Sequence, residues 1–259
     1  PMHEAINDFA ASPGERLAAL AAFASAPGFA PAGRAAAVAA TDSAAAEESN
    51  NHIHTIYSFS PYAPAAAALG AWKAGLTVAG SVDHDSLAGA AEMRAACALL
   101  GLGAVTGFEI RAFLHAPAEA AAGGAAAAFA SRKINNPDSA GIIYMTVQGV
   151  PAQAAEKVAE FLAPVRERRL ARTAAMAGRA NGILRAAGLA PFDFERDVVG
   201  RSKFAQGGTV TERHLLAAMA EALIAGFGRG EALAAGLEAK LGLALKPKVR
   251  ATLSDPANP

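Results

Sequence analysis

The length, composition and charge of the chain narrow the classes of protein to which it can belong. Its 259 residues suit one large domain or two small ones. The formal net charge is zero and there is no long basic stripe, so nucleic-acid binding is not expected. The single cysteine excludes an internal disulfide and fits a reducing compartment. Arg, Glu or Gly interrupts every apolar run, and acidic residues occur early, unlike in a secretory signal. We therefore predict a soluble, cytoplasmic protein whose oligomeric state is open.

Strand-like and helix-like segments alternate through the first half of the chain. Residues 14–47 are rich in alanine and other helix formers, broken by Pro27, Pro31 and Gly33, and we predict that residues 1–50 form an N-terminal helical arm. Four segments then read as strands, with helices between the first three; these strands are SNNHIHT, LTVAGSVDHD, GAVTGFEIRAFL and AGIIYMTVQGV. The alternation predicts an α/β fold with a parallel sheet, in which the fourth strand is buried.

The second half of the chain is predicted to be mainly helical. Residues 114–137 include a low-complexity stretch that fits either a helical hairpin or a loop. A long helical periodicity follows, and a further helix with Thr209 or Thr211 as its N-cap is predicted to run to Gly228. Residues 246–259 read as the start of a connection.

Polar clusters lie at the carboxyl ends of three successive predicted strands. They are, in chain order, His52 and His54, then Asp83, His84 and Asp85, then Glu109. A strand turns His52 and His54 to the same face, and the carboxyl ends of strands in a parallel barrel converge on one face. Imidazoles and carboxylates suit Zn²⁺ or Mn²⁺. A carboxylate such as Glu109 can bridge two ions, and two metals roughly 3.5–4 Å apart can clamp a phosphoryl transfer.

Each cluster taken alone also has a structural explanation. One imidazole of the pair His52 and His54 can face the core and bond a backbone carbonyl. The VDHD segment can be a solvated turn with Asp85 or Ser86 as an N-cap. Glu109 can be a surface residue on an edge strand. The order, the spacing and the shared position at strand ends favour the metal site.

Three motifs carry a resemblance to a known family. HIHTIYSFSP, AGLTVAGSVDHDSLAGAAE and GLGAVTGFEIR resemble, in family order, the opening motifs of the PHP family, named for polymerase and histidinol phosphatase. The resemblance implies that residues 51–150 are part of a distorted (β/α)7 barrel that binds two or more divalent metal ions, Mn, Zn or Fe, and hydrolyses phosphoesters. The implied metal ligands are His52, His54, His84 and Glu109. The resemblance also implies that Asp83 orients a ligand. We predict Asp83 and Asp85 as the catalytic residues, with Asp85 capping the following helix.

The second half resembles one branch of that family more loosely. Phosphatases of this branch act on nucleotides and small phosphates and carry a helical insertion, here residues 151–245, with residues 246–259 as the connection to a missing barrel part. The segments VRERRLARTAAMAGRANGILRAAGL and TVTERHLLAAMAEAL resemble two pieces of the insertion. The resemblance implies that His214 contacts metal or phosphate and that the substrate phosphate faces Arg166, Arg169 or Arg213, because guanidinium suits phosphate oxygens. The alternatives are a solvated arginine face and a histidine packed at a helix start.

The sequence also departs from the family pattern. Phe59 and Ser60 stand where an acidic residue is usual, and Thr146 or Gln148 stands where another histidine is usual. The Asp-x-His sequence that closes the site is absent, and His115 is either its substitute or a surface loop residue. Two explanations fit: the chain is the N-terminal part of a longer polypeptide, or its metal site has degenerated.

These observations predict a metal-dependent phosphoesterase that hydrolyses a phosphate ester of a small molecule or nucleotide by means of a metal-bound hydroxide. The predicted partner is a small-molecule phosphate, with no membrane and no nucleic acid. Two alternatives remain open: a non-catalytic or degenerate metal-binding scaffold module, and the hydrolysis of another bond, such as an amide, at a similar site.

Overall fold

A computed structural model describes residues 2–32, 48–113, 121–136 and 139–257 of the chain. The chain divides into two compact units. The first consists of Pro1–Val165 and Ala205–Thr209, and the second of Arg166–Phe204 and Val210–Pro259. The domain boundaries expected after residues 50, 150 and 245 stay predictions.

The first unit alternates strands with helices, so the α/β class and the four expected strands are confirmed. Its elements are α1 (Met2–Ile6), α2 (Pro13–Ala24), β1 (Ser49–Ile53), α3 (Pro64–Lys73), β2 (Val78–His84), α4 (Ala90–Leu100), β3 (Gly103–Phe113), α5 (Gly124–Ala130) and β4 (Ile142–Val147). Helix α2 lies within the arm where helices were expected, and α5 lies within the low-complexity segment. Residues 33–47 and 114–120 lie outside the described residues.

The strands form one sheet in the order β1-β2-β3-β4. Strands β1, β2 and β3 are parallel, as predicted. Strand β4 runs antiparallel to β3, and its residues are half-buried or exposed, so the prediction of a buried fourth strand in a parallel sheet was wrong. The apolar residues of β4 resemble those of a central strand. Within the described residues, however, β4 is the last strand of the sheet, and no further strand pairs with it. Because the described residues contain four strands, the (β/α)7 barrel is not confirmed.

Helices α1 and α2 pack on α3 and α4 and complete the core of the first unit. Ile6, Leu20, Met93 and Leu100 are fully buried in one apolar cluster. Helix α2 starts with a capping box, in which Ser12 and Glu15 each bond the other's backbone N–H, and Pro13 takes a helix position that needs no donor. Helices α1 and α2 therefore belong to the same core as the sheet.

A buried ion pair joins α2 to α4. Arg16 Nε and Nη2 donate to the two carboxylate oxygens of Glu92 at 2.8 and 2.7 Å. Arg16 Nη1 donates to the carbonyls of Asp8 and Ala11, and Glu92 also accepts the backbone N–H of Ala65. The hydrogen bonds to Glu92 raise the pKa of Arg16. This network fixes α2 against α3 and α4.

Two glycines allow strand backbones to approach closely. A Cβ atom on Gly107 of β3 would lie 1.8 Å from the carbonyl oxygen of Val147 in β4. A Cβ atom on Gly80 of β2 would lie 2.7 Å from the carbonyl oxygen of Val105 and 2.9 Å from Asn51 Cα. Larger residues would push the strands apart, so these glycines set the spacing at which side chains from neighbouring strands meet.

The second unit is helical, as predicted. Its elements are most of α6 (Ala155–Ala186), which begins in the first unit, α7 (Phe194–Asp197), α8 (Glu212–Phe227), α9 (Glu231–Leu241) and α10 (Pro247–Ser254). Leu184, Val198 and Val210 are buried in its core. Helix α8 has Thr211 as its N-cap and ends before Gly228, as expected. The segment predicted as a connection contains α10. Among the described residues, none of the helices combines the length and the apolar character that crossing a lipid bilayer requires.

Candidate metal centre

The carboxyl ends of β1 and β2 and the middle of β3 bring the four predicted ligand side chains together. His52 lies in β1 and His54 directly follows it, while the parallel register pairs His84 of β2 with Glu109 of β3. Nε2 of His52 is 2.8 Å from Glu109 Oε2 and 3.3 Å from Nε2 of His54. His54 Nε2 lies 4.0 Å from Glu109 Oε2, and His84 Nδ1 lies 3.2 Å from Glu109 Oε1. Three strands thus place three imidazoles around one carboxylate.

Three of these side chains are sheltered and one faces solvent. The exposed fractions are 15% for His54, 13% for His84 and 8% for Glu109, against 49% for His52. His52 lies where the pairing of β1 with β2 shifts in register after Asn50, whose side chain accepts the His52 backbone N–H at 2.9 Å. The irregular end of β1 leaves the site accessible from the side of His52.

The donor atoms are spaced as ligands of one metal ion would be. One nitrogen each of His52 and His54 and one oxygen of Glu109 lie within 4.8 Å of one another. Ligand atoms held tetrahedrally about 2.1 Å from a Zn²⁺ ion are about 3.4 Å apart. The three separations, 2.8, 3.3 and 4.0 Å, bracket that value. Two imidazoles and a carboxylate are also a donor set that Zn²⁺, Mn²⁺ and Fe²⁺ accept. These residues fit a divalent transition metal.

Asp83 reaches His54 through a hydroxyl group. The Asp83 carboxylate is buried and accepts hydrogen bonds from Thr55 N–H and Oγ1, both at 2.6 Å, and from Ser58 Oγ at 2.7 Å. Ser58 Oγ lies 3.4 Å from Nδ1 of His54. Burial raises the pKa of Asp83, and the bonds from Ser58 and Thr55 oppose that rise. The geometry suits Asp83 to orienting His54, and Ser58 is a member of the site that the sequence interpretation missed.

Asp85 is not the N-cap of the helix that follows it. Helix α4 begins at Ala90 with Gly89 as its N-cap, so that expectation was wrong for both Asp85 and Ser86. Asp85 is fully buried in a left-handed backbone conformation with φ of 52°, and its N–H donates to the Glu109 carbonyl at 2.8 Å. This bond fixes the turn after β2 against β3, beside the carboxylate of the site.

Phe59 packs against two of the imidazoles. Its ring centroid lies 4.6 Å from that of His54 and 5.3 Å from that of His84, and the two imidazole centroids are 4.6 Å apart. The residue that stands in place of an acidic one is therefore in the site itself. It supplies an apolar ring where a carboxylate would supply a charge.

Arg111 and Tyr144 also lie beside the site, and the sequence interpretation missed both. Arg111 comes two residues after Glu109 and so shares its face of β3. The antiparallel register places Tyr144 of β4 opposite Arg111. Arg111 Nε donates to the Tyr144 hydroxyl at 3.0 Å, and the Tyr144 ring centroid is 5.8 Å from that of His84. The alternation in GFEIR signalled Arg111, but nothing local signalled Tyr144.

The predicted residues of the helical second unit are engaged in helix contacts. His214 is the third residue of α8, and its Nδ1 lies 3.1 Å from the N–H and 3.0 Å from Oγ1 of Thr211. Burial lowers the pKa of His214. Arg169 is buried, and its Nη1 lies 3.7 Å from Oε2 of Glu212. His214 is therefore packed at the start of a helix, which was one of the two alternatives for this residue. Its contact with metal or phosphate stays a prediction.

The other residues singled out from the sequence are Arg166, Arg213, Thr146 and His115, and each has a different environment. Arg166 Nη2 donates to the Phe204 carbonyl at 2.8 Å and its guanidinium lies over the Phe204 ring, while Arg213 is exposed on α8. Their phosphate contacts stay predictions. Thr146 pairs with Glu109 across the β3–β4 ladder. His115 lies outside the described residues.

Comparison with known proteins finds a distant likeness to a solved structure. No family model matches the sequence, and a search of the curated proteins finds no match. A crystal structure from Bifidobacterium adolescentis is similar, with 23% identity and a TM-score of 0.47, over 70% of this chain and 50% of that one. That protein carries a provisional assignment as a metal-dependent phosphoesterase. The chain spans about half the length of the structure it matches.

Proposed function

We propose that this chain is a metal-dependent phosphoesterase of the PHP type, built on part of a (β/α)7 barrel and acting on a phosphate ester of a small molecule or nucleotide. The observation that carries the proposal is the gathering of His52, His54 and Glu109, whose donor atoms lie within 4.8 Å of one another. His84, with Nδ1 3.2 Å from Glu109, extends the donor set. Glu109 faces imidazoles through both of its oxygens, which suits a carboxylate that holds more than one ion.

In the proposed hydrolysis, a bound cation and the residues around it make different contributions. A bound Mn²⁺, Zn²⁺ or Fe²⁺ ion supplies a Lewis acid that polarises a phosphate ester and lowers the pKa of water. His52, His54, His84 and Glu109 would hold it. The Ser58 hydroxyl donates to Asp83 and can accept from Nδ1–H of His54, which keeps the His54 ring in one orientation, as a metal-bound imidazole requires. Phe59 covers His54 and His84 on one side and excludes water there.

The proposal is tested by hydrolysis of para-nitrophenyl phosphate with added Mn²⁺. We expect turnover that requires the metal and that His54→Ala lowers by at least about 100-fold, since it removes a direct ligand. His3→Ala is the matched control, because His3 is an exposed histidine on α1 in the same unit. Equal turnover in the His54→Ala variant and the wild type would remove the proposal.

A second candidate is a metal-binding module without catalysis, and Phe59 favours it. An apolar ring packed on two ligand imidazoles occupies space that an acidic side chain would use for a further ion. Metal analysis together with the hydrolysis assay separates the candidates. Bound metal without turnover supports the module, and bound metal with turnover that His54→Ala removes supports the enzyme.

A further inference from the structure

Arg111 and Tyr144 form a wall beside the metal centre that the proposed function does not use. Glu109 and Arg111 project from the same face of β3, because side chains two apart on a strand share a face. In the β3–β4 ladder Glu109 pairs with Thr146 and Arg111 pairs with Tyr144. The Tyr144 ring is 5.8 Å from that of His84, between centroids, so the wall adjoins the ligands.

The backbone of Tyr144 is fixed from both sides. On one side the ladder pairs β4 with β3. On the other side the amide side chain of Asn135 acts like a neighbouring strand: its Oδ1 accepts the Tyr144 N–H at 2.9 Å and its Nδ2 donates to the Tyr144 carbonyl at 2.8 Å. A tyrosine held in this way gives its hydroxyl a defined position.

That hydroxyl in turn sets the plane of the Arg111 guanidinium. Arg111 Nε donates to it at 3.0 Å, and Arg111 Cζ lies 5.4 Å from the centre of the Tyr144 ring. Arg111 is half-buried, which strengthens its attraction to an anion compared with a fully exposed arginine.

We propose that Arg111, oriented by Tyr144, binds the phosphate group of the substrate and that the site therefore takes phosphate monoesters. The inference rests on the proposed function, since it places the phosphate between Arg111 and the metal ligands. A planar guanidinium fork matches two oxygens of a phosphate. A monoester carries its negative charge on three terminal oxygens, so one can face the metal ligands while others face Arg111. Tyr144 and Asn135 are positioning residues that act through Arg111.

The test combines steady-state hydrolysis of para-nitrophenyl phosphate with calorimetric binding of phenylphosphonate and of Mn²⁺. We expect Arg111→Gln to raise KM and to weaken phenylphosphonate binding by about tenfold or more, with kcat changed far less. Arg111→Lys keeps the charge without the fork and falls between Arg111→Gln and the wild type. Tyr144→Phe raises KM by a smaller factor. In all three variants Mn²⁺ binding stays at the wild-type value.

Arg94→Gln is the matched control. Arg94 is also half-buried in the first unit, and its Nη1 donates to the Thr106 hydroxyl at 2.9 Å. Thr106 is three residues before Glu109, so it lies on the opposite face of β3. We expect this variant to match the wild type in KM and in phenylphosphonate binding.

The outcomes separate this inference from the proposed function. If Arg111→Gln and Arg111→Lys match the Arg94→Gln control in both assays, the phosphate-binding role is wrong. If they weaken Mn²⁺ binding equally, Arg111 supports the ligands instead and the inference is also wrong. If the wild type hydrolyses no ester but binds phenylphosphonate through Arg111, the phosphoesterase proposal fails while the anion site stands.

Discussion

The contacts of the buried Asp83 carboxylate predict how much free energy of unfolding is lost when this side chain is removed. It accepts three hydrogen bonds, two from Thr55 and one from Ser58, at 2.6–2.7 Å. Asp83→Ala leaves these donors without an acceptor in a buried place. Each unsatisfied donor costs about 1–3 kcal/mol, and the two hydroxyls can turn elsewhere whereas the Thr55 N–H cannot. We therefore expect a loss of about 3 kcal/mol in the free energy of unfolding.

Urea unfolding of the metal-free protein measures this loss. Asp83→Asn retains one acceptor oxygen and nearly the same volume, so it should cost about 1–2 kcal/mol. Because Ser58 links Asp83 to His54, Asp83→Asn should also weaken Mn²⁺ binding by about 10–100-fold. Asp8→Ala, an exposed aspartate of the same unit, is the control. An Asp83→Ala variant as stable as this control, with wild-type metal affinity, would refute the reasoning.

Three further predictions concern the first unit. Arg16→Met leaves the carboxylate of Glu92 buried without Arg16 and should lower the free energy of unfolding in urea by about 3–5 kcal/mol. The double change Arg16→Met with Glu92→Leu should lower it clearly less, and additive losses would contradict the pairing. Cys97 is fully buried, and burial raises the pKa of its thiol to about 11, so iodoacetamide should modify it in urea but not in the native protein, and rapid native alkylation would contradict that burial. Gly107→Ala would place a Cβ atom 1.8 Å from the Val147 carbonyl oxygen and should lower stability by about 2 kcal/mol or more in thermal unfolding; an unchanged melting temperature would contradict the close approach of β3 and β4.

The first three strands and their polar ends could be predicted because the signals are local. Strand β2 is an apolar run that ends at Asp83 and His84, β1 carries His52 and is followed by His54, and β3 carries Glu109 at the level of His84. Parallel strands bring such positions to one edge of the sheet. His52, His54, His84 and Glu109 were therefore recognisable before any coordinates, and the structure brings them within one site. The sequence alone therefore predicts where along its own strand each of these side chains lies.

The features that were missed depend on contacts distant in sequence. The apolar residues of β4 say nothing about its direction, so neither its antiparallel pairing nor the place of Tyr144 opposite Arg111 was predictable. Ser58 reads as one more loop serine until Asp83, distant in sequence, folds against it. Asp85 resembles a helix cap, yet its backbone adopts a left-handed turn that bonds β3, and α4 starts only at Ala90.

The most direct test of the central claim is calorimetric titration of the metal-free protein with Mn²⁺ or Zn²⁺. The geometry predicts at least one ion per chain, with affinity lowered by about 100-fold or more in His54→Ala and Glu109→Gln and unchanged in His3→Ala. Binding that is absent from the wild type, or that survives both changes at the site, would show that His52, His54 and Glu109 do not form a metal centre.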